Sequence, residues 1–331
     1  MRISRSVPIA AKAPIALTIG NFDGVHLGHQ AMLARLCDDA RQHRLAPCAM
    51  TFEPHPREFF APDRAPARLT SLREKLELLQ AYGIDCAHVY RFDYRFAQIT
   101  AEEFIERILV RGLGARRLLI GDDFRFGARR AGDFALLKSL EPRYGYTVEA
   151  MTSFMLDGER VSSTAVRAAL ERGEMQRAAR LLGRPYSISG RVVRGDGLGR
   201  TLGFPTANVQ IKHNRPPLAG IFAVEVSGAA AGSVRGVASL GVRPTVKQNA
   251  APVLEVYLLD YDADLYGRHL QVHFLHKFRD EEKFADLATL TRRIAEDVGN
   301  ARAYFRQQMS ALPEGEPSSA AQWARRNRQM Q

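Results

Sequence analysis

LTIGNFDGVHLGHQAML, Leu17 to Leu33, joins an apolar strand to an apolar helix through glycines, an aspartate and two histidines. A segment that only filled a core would carry none of them. A strand running into Gly20 and a helix leaving after Gly28 expose backbone N–H groups at a helix N-terminus, which is a ready anion site. Gly24 and Gly28 let a phosphate approach the backbone closely. His26 and His29 are three apart and project to one side of the first turn. Their ring nitrogens can donate to phosphate oxygens as charge builds there. A plain helix cap with two surface histidines is the alternative, and the density of special residues in this short span argues against it.

Outward from this turn, the chain alternates strand and helix to about residue 182. PIALTI, APCAMTF, CAHVYRF, RRLLIG and YTVEAM read as strands. Between them lie a helix from about Gly28 to His43, one opened by a Ser71/Glu74 capping box, and one opened by Thr100/Glu103 that ends at Gly112 or Gly114. Strands separated by amphipathic helices predict a doubly wound parallel sheet covered on both faces. After Gly183 the texture changes. The segments IFAVEV, VRGVASLG, VLEVYLLD and LQVHFLH are short, β-branched and separated by turns without helices, which predicts a small antiparallel barrel. A helix from about Glu281 to Val298 closes it, with Phe284, Leu287, Ile294 and Val298 near one face. Residues 1–182 and 183–307 are thus expected as two domains. The tail over 308–331 has the composition of a disordered segment, clearest from Pro313.

The 331 residues fit two ordinary domains, and 46% apolar residues support sizeable cores. No apolar run reaches the roughly 18 residues of a membrane span. Pro8, Lys12 and Pro14 break any h-region, so neither a cleaved leader nor a membrane partner is expected. Cys37, Cys48 and Cys86 form no CxxC pair, so neither a disulfide scaffold nor a zinc site is expected, and a cytoplasmic, reducing location is. The formal charge of +11 fits an anionic partner, either nucleic acid or phosphorylated small molecules, although charge alone is better explained by a solvated basic surface. A nucleic-acid barrel would interleave aromatic and basic residues. These strands read mostly aliphatic, so small phosphorylated molecules are expected rather than nucleic acid.

Other segments carry possible chemistry. In VSSTAVRAAL, Ser162 or Ser163 caps a helix, and Arg167 lies four past Ser163 and three past Thr164, placing hydroxyls and a guanidinium on one face suited to phosphate. GDDFRFG, with Asp123, follows a strand at the carboxyl edge where α/β sheets bind ligands. TFEPHP also follows a strand; there His55 and two prolines equally make a rigid turn. In GLGRTLGFPTANV, Pro205 keeps Phe204–Val209 extended, so Thr206 and Asn208 point to one side. Two neutral oxygen ligands with substrate phosphates suit Mg²⁺; a hairpin with Thr and Asn in turn roles is the other reading. Glu255 shares a strand face with Val253, Tyr257 and Leu259. It reads either as a general base of raised pKa among apolar neighbours or as a rim carboxylate facing water.

GxFDGxHxGH resembles the HxGH nucleotidylyltransferases, whose two histidines contact the phosphates of ATP, and SSTAVR resembles a phosphate-binding element of one branch of them. Together, GNFDGVHLGH, FEPHP, GDDFRFG, SSTAVR, GRTLGFPTAN, GVRPTV, LEVYLLD, DLYG and FRDEEKF resemble the prokaryotic bifunctional riboflavin kinase/FAD synthetase family over about residues 14–307. The resemblance implies phosphorylation of riboflavin to FMN by ATP, then adenylylation of FMN to FAD with release of pyrophosphate. It implies ATP at His26, His29, Ser163, Thr164 and Arg167, with Gly20, Asp23 and Gly28 in the nucleotide turn. Asn21 and Asp123 are implied near nucleotide and flavin. Thr206 and Asn208 would hold the kinase Mg²⁺, Glu255 would be the base, and Arg279 lies in a segment that closes over flavin. Some members carry Asn at the position of Arg243, which is given no role. The partners expected are ATP, riboflavin and FMN, for a monomer or weak homo-oligomer.

Overall fold

The computed structural model describes residues 1–6, 8–195, 197–212, 215–242 and 252–311. Arg243 and the tail from Pro313 lie outside the described residues. The chain divides into two compact units, Met1–Pro66 with Leu72–Ser162, and Ala67–Ser71 with Ser163 onward. The sequence texture changes later than this division, at Gly183.

The first unit is built on a six-stranded sheet of β1 (Arg2–Ser4), β2 (Ile15–Ile19), β3 (Ala46–Glu53), β4 (Cys86–Arg91), β5 (Ala115–Gly121) and β6 (Thr147–Met151). Their order is β1-β4-β3-β2-β5-β6, and every neighbouring pair is parallel. All five residues of β2 are buried, as a central strand covered on both faces requires. Ile15, Leu17 and Ile19 face a core shared with Phe104, Ile105 and Leu109. Thr18, on the opposite face, places its hydroxyl 3.1 Å from Met32 Sδ in the helix Leu27–His43. The Thr100/Glu103 capping box forms in both directions, at 3.1 and 3.2 Å. β1 is an edge strand that the basic N-terminal sequence does not announce. A two-stranded ribbon, β7 (Met155–Leu156) and β8 (Glu159–Arg160), follows the sheet.

The topology locates a ligand crevice before any side chain is considered. From β2 the chain winds through β3 to β4 on one side, then returns to place β5 on the other side of β2. The winding direction therefore reverses beside β2. Open α/β sheets bind ligands at the carboxyl ends of the strands flanking such a reversal. The turn Gly20–His26 leaves the carboxyl end of β2, and Gly121–Asp123 leaves that of β5.

The second unit is a closed antiparallel barrel of β9 (Tyr186–Val193), β10 (Thr206–Gln210), β11 (Gly220–Ser227), β12 (Val234–Val242), β13 (Pro252–Leu258) and β14 (His269–Arg279), ordered β10-β13-β12-β11-β14-β9. Leu254, Val256 and Leu258 of β13 are buried, while Val253, Glu255 and Tyr257 alternate as half-buried residues on the other face. Phe222, Leu254, Val256 and Phe274 are among the fully buried side chains of the barrel. The helices Ser163–Glu171 and Met175–Leu182 belong to this unit. A single helical turn, Leu198–Thr201, interrupts the glycine-rich segment.

The closing helix runs over Leu287–Ala311 rather than Glu281–Val298. Asp286 explains the later start, because its carboxylate accepts from the backbone N–H of Thr289 at 2.7 Å and from the Thr289 hydroxyl at 3.1 Å. Residues 281–284 are thereby left outside the helix, and Leu287, expected on the apolar face, is 56% exposed.

His273 of β14 is 1% exposed, and burial, followed by the Arg184 charge, pushes its pKa down to about 4. The folded state therefore holds a neutral imidazole where the unfolded chain, at about 6.5, takes up a proton. Its contribution to stability is complete above pH 6.5 and is lost as pH falls below that value. Between pH 6.5 and 5, each such histidine removes on the order of 1 kcal/mol per pH unit. Thermal denaturation across this range should show a falling midpoint in the wild type and a flatter profile in His273→Gln.

Candidate active sites

The turn after β2 is held in an unusual backbone form. Phe22 and Val25 have φ of 46° and 40°, and Gly24 lies between them at 82°. Side-chain-bearing residues in the left-handed region cost of order 1–3 kcal/mol each and persist only where packing over-determines them. Phe22 and Val25 are both fully buried, which supplies that packing. Asp23 is also buried, whereas Asn21 is exposed and contributes its carbonyl to the Thr51 hydroxyl at 3.3 Å. A Cβ on Gly20 would meet the Phe22 ring at 3.2 Å, and one on Gly28 would meet the His26 ring at 3.3 Å.

This turn brings His26 and His29 together. Their rings stack with centroids 3.8 Å apart and planes 19° from parallel. His26 is the N-cap of the helix Leu27–His43, and its Nδ1 accepts from the His29 backbone N–H at 3.4 Å. His26 is thus both cap and candidate phosphate ligand. His29 is half-buried as a residue, but its Nδ1 is sealed from solvent and has no hydrogen-bond partner. Its pKa is held well below 6.5, first by burial and then by the charges of His26 and Lys75. At neutral pH it is a neutral imidazole, which carries one N–H donor. Lys75 escaped the sequence reading. It is 4% exposed, donates to the Thr51 hydroxyl at 3.5 Å, and adds positive potential near the turn. A lysine embedded in LREKLELL was its only signal.

Asp123 lies at the carboxyl edge beyond β5, exposed and paired with Arg160 at 2.8 Å. His55 caps a helix over Pro56–Phe60 through its Nδ1, at 3.1 Å from the Arg57 N–H, which gives the FEPHP histidine a structural role. In the second unit, Ser163, Thr164 and Arg167 stand on the helix Ser163–Glu171, and Arg167 Nε donates to the Ala67 carbonyl at 2.6 Å.

The barrel carries a cleft of about 760 Å³, lined by Thr206, Asn208, Glu255 and Arg279 among others. Strand register explains the convergence. Asn208 of β10 is opposite Glu255 of β13, which is opposite Ser239 of β12. One row across three strands thus presents an amide, a carboxylate and a hydroxyl to the same face. Thr206, opposite Tyr257, belongs to the next row on that face. Asn208 Oδ1 is buried with no hydrogen-bond partner. A Cβ on Gly195 would collide with the Asn208 amide, and one on Gly199 would meet Thr206 Oγ1 at 3.0 Å. Glycine-lined backbone thus cradles both oxygen donors. Buried polar atoms normally find partners, and an unsatisfied carbonyl oxygen beside a hydroxyl fits a hard cation such as Mg²⁺.

Arg279, at the end of β14, is fixed by two bonds to the buried Asp297, at 3.1 and 2.7 Å, and its guanidinium lies 5.8 Å from the Phe284 ring centre. Ser239, Glu281 and Asp297 were not foreseen as lining residues. The Ser239 hydroxyl donates to Glu281 at 3.0 Å. Ser239 and Asp297 depend on strand pairing and helix position, which leave no local motif, whereas Glu281 stands within FRDEEKF, two residues past Arg279.

Residues 9–165 match the FAD synthetase family and residues 182–305 the riboflavin kinase family. The bifunctional riboflavin kinase/FMN adenylyltransferase of Escherichia coli K12 is 49% identical over 308 residues, 92% of this chain and 98% of its own. Those of Haemophilus influenzae and Pseudomonas fluorescens are 46% and 50% identical, covering 88% and 86% of this chain and 94% and 91% of theirs. A solved structure described as a macrolide-efflux protein from Streptococcus pneumoniae superposes with a TM-score of 0.76 at 26% identity, covering 91% of this chain and 99% of its own. With both halves matched in order and nearly the full length aligned, the chain belongs to the bifunctional riboflavin kinase/FMN adenylyltransferase family.

Proposed function

We propose that this chain phosphorylates riboflavin to FMN in its barrel and adenylylates FMN to FAD in its parallel-sheet domain, with residues 183–307 and 1–182 as the two catalytic domains. The observation that carries the reading is the convergence of Thr206, Asn208 and Glu255 on one cleft, within the half that matches riboflavin kinase.

In the kinase step Glu255 accepts the proton of the riboflavin 5′-hydroxyl as that oxygen attacks the γ-phosphorus of ATP, and ADP leaves. Thr206 and Asn208 would hold Mg²⁺, which would supply neutralisation of charge on the phosphates. Arg279, anchored by Asp297, orders the rim over the flavin. In the adenylyl step the FMN phosphate is already an anionic nucleophile, so no general base is needed. It attacks the α-phosphorus of a second ATP, and pyrophosphate leaves. His26 and His29 position phosphate oxygens and donate to charge that develops there. Gly20, Asp23 and Gly28 shape the nucleotide turn, and Asn21 and Asp123 lie toward nucleotide and flavin. Ser163, Thr164 and Arg167 are assigned to nucleotide phosphate by their likeness to the family element. The protein works on these small molecules as a monomer or weak homo-oligomer in the cytoplasm. No described helix is long and apolar enough to cross a membrane.

Purified protein with riboflavin and MgATP, followed by chromatography, should yield FMN and then FAD; absence of both products would sink the reading. His29→Ala should lower FAD formation on the order of 10²-fold or more, by analogy with removal of an oxyanion donor, and leave FMN formation intact. Glu255→Gln should lower FMN formation on the order of 10²- to 10⁴-fold, while FAD formation from supplied FMN continues. If both folded variants lose both activities, the two-site assignment is wrong. Gly195→Ala forces the Asn208 amide from its cradle. It should raise the Mg²⁺ concentration needed for half-maximal kinase rate on the order of tenfold, read from a magnesium titration with FAD formation as the internal control.

A further inference from the structure

The first unit contains a cluster that neither proposed reaction uses. Cys48 of β3 is in direct register with Cys86 of β4, and His88 is two residues further along β4 on the same face. Cys48, Cys86 and His88 are 1%, 9% and 8% exposed. Their ligand atoms all lie within 4.8 Å of one another, and Cys86 Sγ is 3.5 Å from His88 Nε2. Tetrahedral zinc, with bonds of about 2.3 Å to sulfur and about 2.05 Å to nitrogen, separates such a pair by about 3.6 Å. The spacing on the two strands is thus close to one edge of a zinc tetrahedron.

The surroundings favour a soft cation. Cys48 and Cys86 belong to the apolar core that includes Ile105 and Leu109, where a thiol has few polar partners to satisfy it. His88 Nδ1 is buried with no hydrogen-bond partner, so this imidazole is poorly provided for as a purely structural residue.

We propose that Cys48, Cys86 and His88 form a binding site for a thiophilic divalent cation of the Zn²⁺ class, with a fourth position left to water. Binding forms two metal–sulfur bonds and one metal–nitrogen bond and releases the thiol protons to solvent. Thiolate and imidazole donors select such ions over Mg²⁺. The cluster lies toward the amino ends of β3 and β4, away from the carboxyl edge that bears Gly20–His29. It would cross-link two adjacent strands of the sheet rather than enter the reaction.

The full-length protein, stripped with a chelator under reducing conditions, would be titrated with Co²⁺. One equivalent should produce a thiolate-to-cobalt charge-transfer band together with visible absorption of tetrahedral intensity, and Zn²⁺ should bleach both. Binding at the stacked His26 and His29 would give no thiolate band, so the readout separates the two locations. Cys86→Ser and His88→Gln should weaken cobalt binding on the order of 100-fold, whereas Cys37→Ser should leave the band unchanged. Because substitutions in this core can impair folding, X-ray absorption on zinc-loaded wild type supplies an independent readout, with two sulfur scatterers expected. No charge-transfer band in the wild type, a zinc shell without sulfur, or a band that survives in folded Cys86→Ser would each overturn the proposal.

Discussion

Leaving a buried polar atom without a hydrogen bond costs about 1–3 kcal/mol, and both candidate active sites bear that cost. In the sheet domain the atom is His29 Nδ1, and in the barrel it is Asn208 Oδ1. Neither is a loose surface group that water would satisfy. Each lies against a close neighbour: the stacked His26 ring in one case, the backbone at Gly195 in the other. A ligand that supplies the missing partner would recover that cost on binding. The remaining architecture is the means of holding these two atoms in place.

The means differ between the halves. In the sheet domain the precision is local. A few consecutive residues adopt left-handed backbone angles and are locked by the burial of Phe22 and Val25. In the barrel the precision is non-local. Asn208, Glu255 and Ser239 form one row only because three strands keep their register, and a slip by one residue would turn Glu255 into the apolar interior. The alternation of β13, with Leu254 and Val256 inward, fixes that register. The same residues that fill the core therefore aim the carboxylate.

This contrast also explains how much could be read from the sequence. GNFDGVHLGH declares its turn because all the residues that make it are neighbours, and the parallel sheet and the barrel follow from strand length and patterning. That Thr206 and Asn208 share a face was legible through Pro205, which keeps the segment extended. Ser239 and Asp297 were not, since their proximity to the cleft arises from pairing and packing across long sequence separations. The closing helix was placed too early because its apolar periodicity continues backward through Phe284, while the Asp286 cap that stops it depends on one carboxylate. Cys48, Cys86 and His88 were invisible as a group for the same reason as the cleft residues: parallel register, not spacing, unites them.

The contiguity of the histidine turn bears on how the protein comes into being. Everything from β2 through the first helical turn leaves the ribosome within a short interval, and the strands that flank it follow before any of the barrel has been made. The kinase cleft can take shape only after β14 and the closing helix have emerged, since Arg279 and Asp297 are among its walls. Domains generally fold as units, N-terminal first during synthesis. A nascent chain would thus own a formed histidine turn well before it owned a phosphorylation site, and a ribosome stalled late in translation would hold a half-enzyme of one kind and never of the other.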